Sequence, residues 1–431
     1  MGRERGPTIR LSRRAFLERT ACGAAGLLLS RCGSPAGGAP RDGGIGGDGT
    51  DAVSDATLPV PDDGALLGLL PSKRRPDFAG AVREACGALD WSWLAQGDSV
   101  FVKLACNSGL PHPATTSPAA VRAVCEELFS RGAGRVLAGD MGGIEYVRLT
   151  SDSRWGSTRD LLDANGLLDA ILDTGAEPWV FDDQNYHEGF VEATLDLPDS
   201  HWPEPPRIAR ICREVDHIVV LPRLASHAVT GYTHGLKAAV GWLRDDSRYL
   251  LHFLGGSLHA MVAELNHCRE LRERVRLVLT AADRVLLDCG PDQGTLAEAD
   301  PRIVIAARNP AVHDALAVAV LACVDARTPV ADDVFIVYSE FADAINQVLI
   351  NTLVPQKYGE PWGSRDPAGY TAVPFTQYQE GIASDPALTR AFELQGGRPE
   401  AIPLHLFGVP PDPDLIAVLE AYDGGIFRLP G

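Results

Sequence analysis

Apolar and polar positions alternate in blocks from about residue 97 onward. Apolar runs of strand length occur in SVFVKLA, RVLAGD, PWVFDD, DHIVVLPRL, RLVLTAADRVLLDCG and RIVIAARN. Runs that are apolar throughout are typical of strands buried on both faces, and helical stretches separate these runs. The pattern therefore predicts an α/β fold with a mainly parallel sheet and helices on both faces.

The best-marked helix lies in TTSPAAVRAVCEELFSRGAG. Ser117 stands at the N-cap, Pro118 at the first helical position and Gly132 at the stop. The side chain of Thr116 or Ser117 is expected to cap the first turn. Further helices are predicted near TRDLLDANGLLDAILDTG and in NPAVHDALAVAVLACV.

The last hundred residues follow a less regular pattern. VFIVYSEFADAINQVLINTLVP and PDPDLIAVLEAYDG predict helices, whereas KYGEPWGSRDPAGYTAVPF is rich in turn formers. The sequence therefore predicts an α/β domain over residues 65–330. A partly helical C-terminal extension, residues 331–431, is expected to pack on its core.

The N-terminal segment has the pattern of a targeting signal. Arg13 and Arg14 precede ACGAAGLLL, a run too short for a bilayer span, which needs about 20 residues. Residues 1–32 therefore resemble a twin-arginine export signal, and residues 33–64, rich in Gly and Pro, predict a flexible linker. We therefore expect the twin-arginine machinery to export the protein, which would be periplasmic or anchored to the membrane outside the cytoplasm. No transmembrane segment is expected in the mature protein. Cys32 is a candidate lipid-anchor site, although Arg31 is not the small residue that normally precedes the cleavage site.

Charge and cysteine spacing exclude several kinds of partner and cofactor. The formal net charge is -18, and an acidic surface argues against binding to nucleic acid or anionic membranes. The nine cysteines are scattered and contain no CxxC pair, which argues against a ferredoxin-type iron–sulfur cluster or a zinc ribbon. Several of them lie in apolar runs, where buried thiols are expected.

Lys103 lies inside an apolar strand and needs a charged partner. A buried ammonium without a counter-ion costs several kcal/mol, and Asp140, at the end of the next predicted strand, is the expected partner. The segment after Lys103 supplies Asn107 and, before a helix N-terminus, Thr116. These residues predict a site for an anionic ligand at the carboxyl edge of the sheet.

The segment HAVTGYTHGLKAAVGWLRDDSRYLLH carries the densest candidate chemistry. His227, Lys237 and His252 are the candidate catalytic residues, and Arg248 is a candidate ligand-binding residue. Only four of the 39 basic residues are lysine, which suggests that Lys237 provides a compact, tunable ammonium. We expect Lys103, His227, Lys237 and His252 to line a common cavity. Because histidine is a common metal ligand, a metal site remains an alternative interpretation, but no short ligand spacing such as HExxH occurs.

A third group of polar residues follows the later strands. Asp288 in LLDCGPDQG and His313 with Asp314 in NPAVHDAL are further ligand-binding candidates. His313 and Asp314 are adjacent on a predicted helix and point about 100° apart, so we expect one of them to face inward. Hydrolysis by a serine triad is disfavoured because no GxSxG elbow is present.

These segments together resemble the domain of unknown function family DUF362. The resemblance rests on VFVKLACNSGLPHPATTSPAAVRAV, GAGRVLAGDMGG, VDHIVVLPRLASH, GLKAAVGWLRDDSR, DCGPDQG and VHDA, between about residues 97 and 325. It implies an α/β domain, often exported, with Lys103, Asn107, His227 and Lys237 at the positions of its motifs. Many relatives carry a ferredoxin-like cysteine cluster that this chain lacks. Ala225 and Ala238 replace the Lys and Asn of the commoner form.

Two interpretations from different classes fit these residues. The first is an enzyme that acts on a small anionic substrate or cofactor, with Arg248 or Lys237 neutralising it and His227 or His252 moving a proton. The second is a non-catalytic extracytoplasmic binding protein for an anionic ligand or a metal. We prefer the enzyme. The sequence identifies neither the substrate nor the cofactor.

Overall fold

The computed structural model describes residues 63–70, 77–287, 290, 292, 294–328, 343–350, 369–373 and 381–429. Residues 1–62, which hold the predicted export signal, Cys32 and nearly all of the predicted linker, lie outside the described residues. The candidate Asp288 also lies outside them.

Eleven strands of the described residues form one large sheet. The strands are β1 (Ala65–Leu70), β2 (Ser99–Leu104), β3 (Arg135–Gly139), β6 (Glu177–Pro178), β9 (His217–Leu221), β10 (Ala225–His227), β11 (Gly231–Thr233), β12 (Val275–Leu287), β13 (Thr295–Ala307), β14 (Ile402–Gly408) and β15 (Phe427–Arg428). Their order in the sheet is β15-β14-β1-β13-β12-β9-β2-β3-β6, with β10 attached to β12 and β11 to β10. Two small antiparallel pairs stand apart, β4 (Arg148–Leu149) with β5 (Arg154–Trp155) and β7 (Phe190–Glu192) with β8 (Arg207–Ala209).

The sheet is mostly parallel, which confirms the predicted α/β class. Along the main path β13 runs antiparallel to β1 and β12, and every other neighbouring pair is parallel. The runs RLVLTAADRVLLDCG and RIVIAARN, predicted as separate strands, pair with each other as the long antiparallel hairpin β12–β13.

Helices cover both faces of the sheet, as predicted. They are α1 (Phe78–Gly87), α2 (Pro118–Ser130), α3 (Thr158–Ala164), α4 (Leu167–Leu172), α5 (Ile211–Glu214), α6 (Gly235–Ala238), α7 (Asp245–Phe253), α8 (Leu258–His267), α9 (Arg269–Arg272), α10 (Pro310–Arg327), α11 (Pro386–Glu393) and α12 (Pro413–Ala421). Helices α1 to α4 pack on one face, and α8, α10 and α11 pack on the other.

Period-two alternation sends successive side chains of β2 to opposite faces. Val100, Val102 and Leu104 join the core under α1 and α2, whereas Phe101 joins the core on the other face. Since Lys103 is two residues from Phe101, it points to the same face as Phe101. This alternation places a lysine on the buried face of the sheet that also carries α8 and α10.

Two local predictions need correction. The single helix predicted in TRDLLDANGLLDAILDTG is two helices, α3 and α4, because Gly166 between them adopts φ +79°. The strand predicted in PWVFDD is limited to Glu177–Pro178, and Phe181–Asp183 form a 3₁₀ turn instead. The Phe181 amide donates to the carbonyl of Asp140, which holds this turn against the end of β3.

The C-terminal region contributes strands as well as helices. Strand β14 pairs in parallel with β1, so the sheet extends into the predicted extension. Helix α11 packs against α8, and Arg390 on α11 donates to the buried carboxylate of Glu264 on α8 at 2.9 Å. The predicted helix in PDPDLIAVLEAYDG corresponds to α12. Residues 343–350 of the other predicted helix are also helical, and its remaining residues lie outside the description.

Buried thiols and apolar helices complete the core. The cysteines described as free are all buried, in agreement with the sequence prediction: Cys86, Cys106, Cys125, Cys212, Cys268 and Cys323. Over the described ranges, no helix has both the length and the apolar character to cross a bilayer.

Candidate functional site

The candidate site lies where β2, β3 and β9 end side by side. Lys103 is the penultimate residue of β2, Asp140 follows β3, and Arg223 follows β9 by two residues. Because β2 lies between β3 and β9 and all three run parallel, their carboxyl ends meet at one edge. Polar residues placed there converge on the same space, which is the usual ligand position in such sheets.

Lys103 and Asp140 form a buried ion pair, as the sequence predicted. The Lys103 Nζ lies 2.5 Å from Asp140 Oδ1, and the two residues are 1% and 4% exposed. Nζ also donates to the carbonyls of Leu104 and Ala238, at 2.7 and 3.1 Å. Asp140 Oδ2 accepts from the Cys106 amide at 2.8 Å. Burial lowers the pKa of Lys103, and Asp140 opposes this shift by stabilising the charged form.

An aromatic group supports this pair from within the core. The Lys103 Nζ lies 5.8 Å from the centre of the Trp242 ring, within range of a cation–π contact. Trp242 packs in turn on Phe101 and Phe181, with ring centres 5.2 and 5.1 Å away. The adjacent Gly241 leaves room for the pair, because a Cβ there would collide with Lys103 Nζ and Asp140 Oδ1. The lysine is therefore confined by packing.

The side chain of Arg248 on α7 extends to the same edge of the sheet. It is 4% exposed, and its guanidinium donates to the carbonyls of Gly142, Met141 and Gly241, at 2.8, 3.4 and 3.3 Å. Burial raises the pKa of Asp245, one turn earlier, to about 6 despite the attraction of Arg248. The charged residues around Arg248 point in different directions, because Arg244 pairs with Asp246 at 2.6 Å whereas Arg248 turns inward.

His227 ends β10 and presents a fixed tautomer. Its Nδ1 accepts the backbone amides of Val229 and Thr230, at 3.1 and 3.3 Å, which places the ring proton on Nε2. Burial, followed by the charges of Lys237 and Arg223, holds the pKa of His227 well below its usual value. His227 is thus a neutral hydrogen-bond donor near pH 7.

Lys237 lies on the short helix α6, whose start is fixed by Asp314. The Asp314 carboxylate accepts the amides of Gly235 and Leu236, at 2.7 and 2.8 Å. Lys237 itself is half-buried, and no carboxylate of the described residues pairs with it. Burial lowers its pKa to about 7, and the nearby charges of Arg223, Arg248 and Lys103 act in the same direction.

His252 on α7 has the opposite tautomer. The Asn346 Nδ2 donates to the carbonyl of His252 at 2.8 Å, which orients the amide. The Asn346 Oδ1 therefore accepts from His252 Nδ1, at 2.7 Å, and Nε2 keeps a lone pair. Burial lowers the pKa of His252 to about 4, and the charge of Lys237 contributes next. Asn346 was not anticipated from the sequence.

Arg223 and Asp292 were also missed as site residues. Arg223 Nη1 lies 3.9 Å from Asp292 Oδ1. That oxygen also accepts from Asn107 Nδ2 at 3.1 Å and Ser108 Oγ at 3.2 Å. The same rule that selected Asp140, a polar residue just beyond a strand end, would have selected Arg223.

Three candidates have structural roles in this fold. The Thr116 hydroxyl donates to the Leu221 carbonyl at 2.5 Å and accepts the Ala105 amide at 2.8 Å, so it joins the ends of β2 and β9. The expected side-chain cap of α2 is absent, since Ser117 occupies the N-cap without a side-chain hydrogen bond. His313 and Asp314 are both fully buried behind α6 and contact each other at 2.8 Å. The sequence predicted that one of the two packs inward, and the structure buries both.

The remaining candidates influence one another electrostatically. Burial lowers the pKa of Lys237, and the charges of Arg223, Arg248 and Lys103 lower it further. Burial also lowers the pKa of His227 and of His252, and the charge of Lys237 adds to both shifts. Asp140, Asp292 and Asp245 offset part of this positive charge. No carboxylate in the described part of the chain pairs with Lys237. Among the described residues, no group of three His, Cys, Asp or Glu is arranged to hold a metal ion.

Comparison with known proteins identifies a family. The model of the domain of unknown function DUF362 matches residues 100–319, which is about half of the chain and covers most of the site. This match confirms the resemblance inferred from the strand-end motifs. No curated protein matches the chain.

Proposed function

Since this chain belongs to the DUF362 family, whose description assigns no activity, we propose its function from the site itself. The protein binds a small anionic ligand at the carboxyl edge of the sheet and transfers a proton to and from that ligand. Lys237 carries the proposal, because it is a half-buried lysine among cations with no carboxylate partner in the described part of the chain.

The charge balance favours an anionic ligand. Lys103 is matched by Asp140 at 2.5 Å, whereas Arg223 has a carboxylate only at 3.9 Å and Lys237 has none among the described residues. Bringing cations together in a poorly solvated space costs free energy that an oxyanion ligand would recover. The ligand would therefore supply the missing negative charge.

The proton-transfer role rests on Lys237 and His252. A group with a pKa of about 7 is present in both protonation states near neutral pH, which suits general acid–base catalysis. Neutral Lys237 would take a proton from a C–H bond of the ligand, and the electron pair left behind would be stabilised by Arg223 and Arg248. The resulting ammonium would return a proton to the same carbon. His252 Nε2 offers a second acceptor, and the Nε2–H of His227 offers a donor to a ligand oxygen.

Ligand binding and proton transfer are tested separately. Sulfate and malonate are titrated calorimetrically into the full chain and into Lys237→Gln, and we expect the variant to bind them at least tenfold more weakly. A panel of small carboxylic and phosphorylated acids is then incubated with each protein in D₂O, and NMR follows deuterium at carbon. Exchange that requires Lys237 supports the proposal. Anion binding without exchange of any panel member would favour the non-catalytic binding protein instead.

We also propose export by the twin-arginine route. The support is the sequence of residues 1–32, in which Arg13 and Arg14 precede a short apolar run. Arg13→Lys combined with Arg14→Lys should retain the protein in the cytoplasm of a host that has this machinery, as measured by fractionation. Lipid anchoring is examined with Cys32→Ser, which should release an anchored protein from the membrane fraction and leave an unanchored one unchanged.

A further inference from the structure

The guanidinium of Arg223 is enclosed by the protein. Arg223 is 2% exposed, and its Nε and Nη1 atoms are buried with no hydrogen-bond partner among the described residues. Within the described residues, Asp292 is the carboxylate that comes within 4 Å, and its 3.9 Å separation exceeds hydrogen-bond length. The fold therefore holds a charged guanidinium at the strand end, and two of its nitrogen atoms have no acceptor in the described part of the chain.

Such an arrangement is unfavourable unless a ligand completes it. Arginine remains charged at any pH at which proteins are folded, so it cannot relieve the cost of burial by losing a proton. Buried donors without acceptors are rare in native proteins because each loses its bonds to water. An oxyanion supplies both the missing acceptors and the missing charge, and guanidinium binds carboxylate and phosphate oxygens in a matched geometry.

Asp292 lies beside Arg223 without forming a close ion pair. Its Oδ1 is held by the neutral donors Asn107 Nδ2 and Ser108 Oγ, at 3.1 and 3.2 Å. The side chain of Asp292 is 14% exposed, against 2% for that of Arg223. Asp292 is thus a carboxylate that contacts solvent, anchored by other residues, and positioned to repel a second anion near the guanidinium.

We propose that Arg223 binds the oxyanion group of the ligand, a carboxylate or a phosphate, and that Asp292 competes with this group for the guanidinium. The proposal rests on the anion-binding function above and extends it with a binding residue and an internal competitor. It also explains why Arg223 and Asp292 stay 3.9 Å apart, because a close ion pair between them would occupy the guanidinium and block the ligand. Arg223 and Lys237 then contact one ligand from two elements, the end of β9 and helix α6.

The test compares opposite effects of two substitutions. Sulfate, as a tetrahedral oxyanion, and malonate, as a carboxylate, are titrated calorimetrically into the full chain, Arg223→Gln, Asp292→Asn and Arg122→Gln. Arg122 on α2 is the matched control, since it pairs at 2.8 Å with the exposed Asp173 at the end of α4. We expect Arg223→Gln to bind at least tenfold more weakly, Asp292→Asn severalfold more tightly, and Arg122→Gln as the unchanged protein does.

Each outcome has a defined meaning. The gain in Asp292→Asn cannot arise from misfolding, and circular dichroism checks the fold of Arg223→Gln. If Arg223→Gln binds as tightly as the unchanged protein while Lys237→Gln binds weakly, Arg223 is not the anchor and the proposed function stands. If Asp292→Asn does not bind more tightly, the competition is refuted. If the unchanged protein binds neither anion, the anion-binding function fails, and this inference fails with it. Preference for sulfate or malonate separates the phosphate and carboxylate sources.

Discussion

Lys103 and Asp140 occupy the ends of adjacent parallel strands, and their charged atoms lie 2.5 Å apart inside the protein. They are 37 residues apart in the chain, yet the register of β2 with β3 places Lys103 opposite Gly139. Asp140 is the next residue, and it faces the lysine across the strand end. This pair belongs to the candidate site, and removing one partner would leave the other charge buried and unpaired.

Breaking the Lys103–Asp140 pair should strongly destabilise the fold. Lys103→Met leaves a buried carboxylate without its partner, and we expect a loss of about 3–5 kcal/mol in the free energy of unfolding. Lys103→Met combined with Asp140→Leu removes both charges and should recover part of that loss. Denaturant unfolding measures both variants. As a control, Arg135→Gln breaks an exposed pair with Glu177 on neighbouring strands and should cost less than about 1 kcal/mol.

Gly241 should tolerate no side chain. A Cβ at this position collides with Lys103 Nζ and Asp140 Oδ1, whose positions are fixed by burial and hydrogen bonds. Gly241→Ala should therefore lower the free energy of unfolding by about 1–3 kcal/mol, as overpacking does, and weaken sulfate binding. Gly87→Ala, at the end of α1 with nothing within 4 Å of the added Cβ, serves as the control and should not reduce stability. Equal stability of the two variants would contradict the packing argument.

Sulfate binding should weaken as the pH rises through about 7. Lys237, whose pKa is lowered to about 7 by burial and by Arg223, Arg248 and Lys103, is an ammonium below that pH and a neutral amine above it. Sulfate keeps its charge throughout, and His252, with a pKa of about 4, stays neutral. Titration calorimetry between about pH 6 and 8, a window chosen to span about one unit on either side of the lysine pKa, should show the decline.

Two variants identify the titrating group in that experiment. Lys237→Arg remains charged, so its sulfate affinity should lose most of the pH dependence, even if the larger side chain binds more weakly. Asp245, with a pKa raised to about 6, also gains negative charge near this pH range. Asp245→Asn removes the contribution of this carboxylate to the pH dependence of sulfate binding. A decline that persists unchanged in Lys237→Arg would assign the effect to another group.

Glu264 should be important for attaching α11 to the rest of the fold. Its fully buried carboxylate accepts from Arg390 on α11 at 2.9 Å and from the ring Nδ1 and amide of His201, at 2.7 and 2.9 Å. Glu264→Gln removes the charge that these donors share, and we expect a loss of about 2–4 kcal/mol in the free energy of unfolding. Glu393→Gln alters an exposed partner of the same arginine, 3.6 Å away, and should have little effect.

The sequence alone determined the features that are encoded locally. Continuous apolar runs identified β2, β3 and β9, and the Ser117-Pro118 pair marked the start of α2. The pairing of Lys103 with Asp140 also followed, because a lysine in an apolar strand requires a carboxylate and parallel strands end at one edge. Lys237 was chosen because lysine is rare among the basic residues of this chain. Burial lowers its pKa to about 7, and its role as a tunable amine stays a prediction.

Only the tertiary structure decided the contacts between distant segments. Asn346 sets the tautomer of His252 from 94 residues away, and Asn107 holds Asp292 across 185 residues. Strand β13 runs antiparallel, and β14 joins the far edge of the sheet beside β1. Such contacts leave no periodicity in the chain, since they depend on which buried donors and acceptors the folded backbone brings within about 3 Å of each other. The sequence could not show that Arg223 lacks hydrogen-bond acceptors for its Nε and Nη1 atoms, because those acceptors would come from segments distant in the chain.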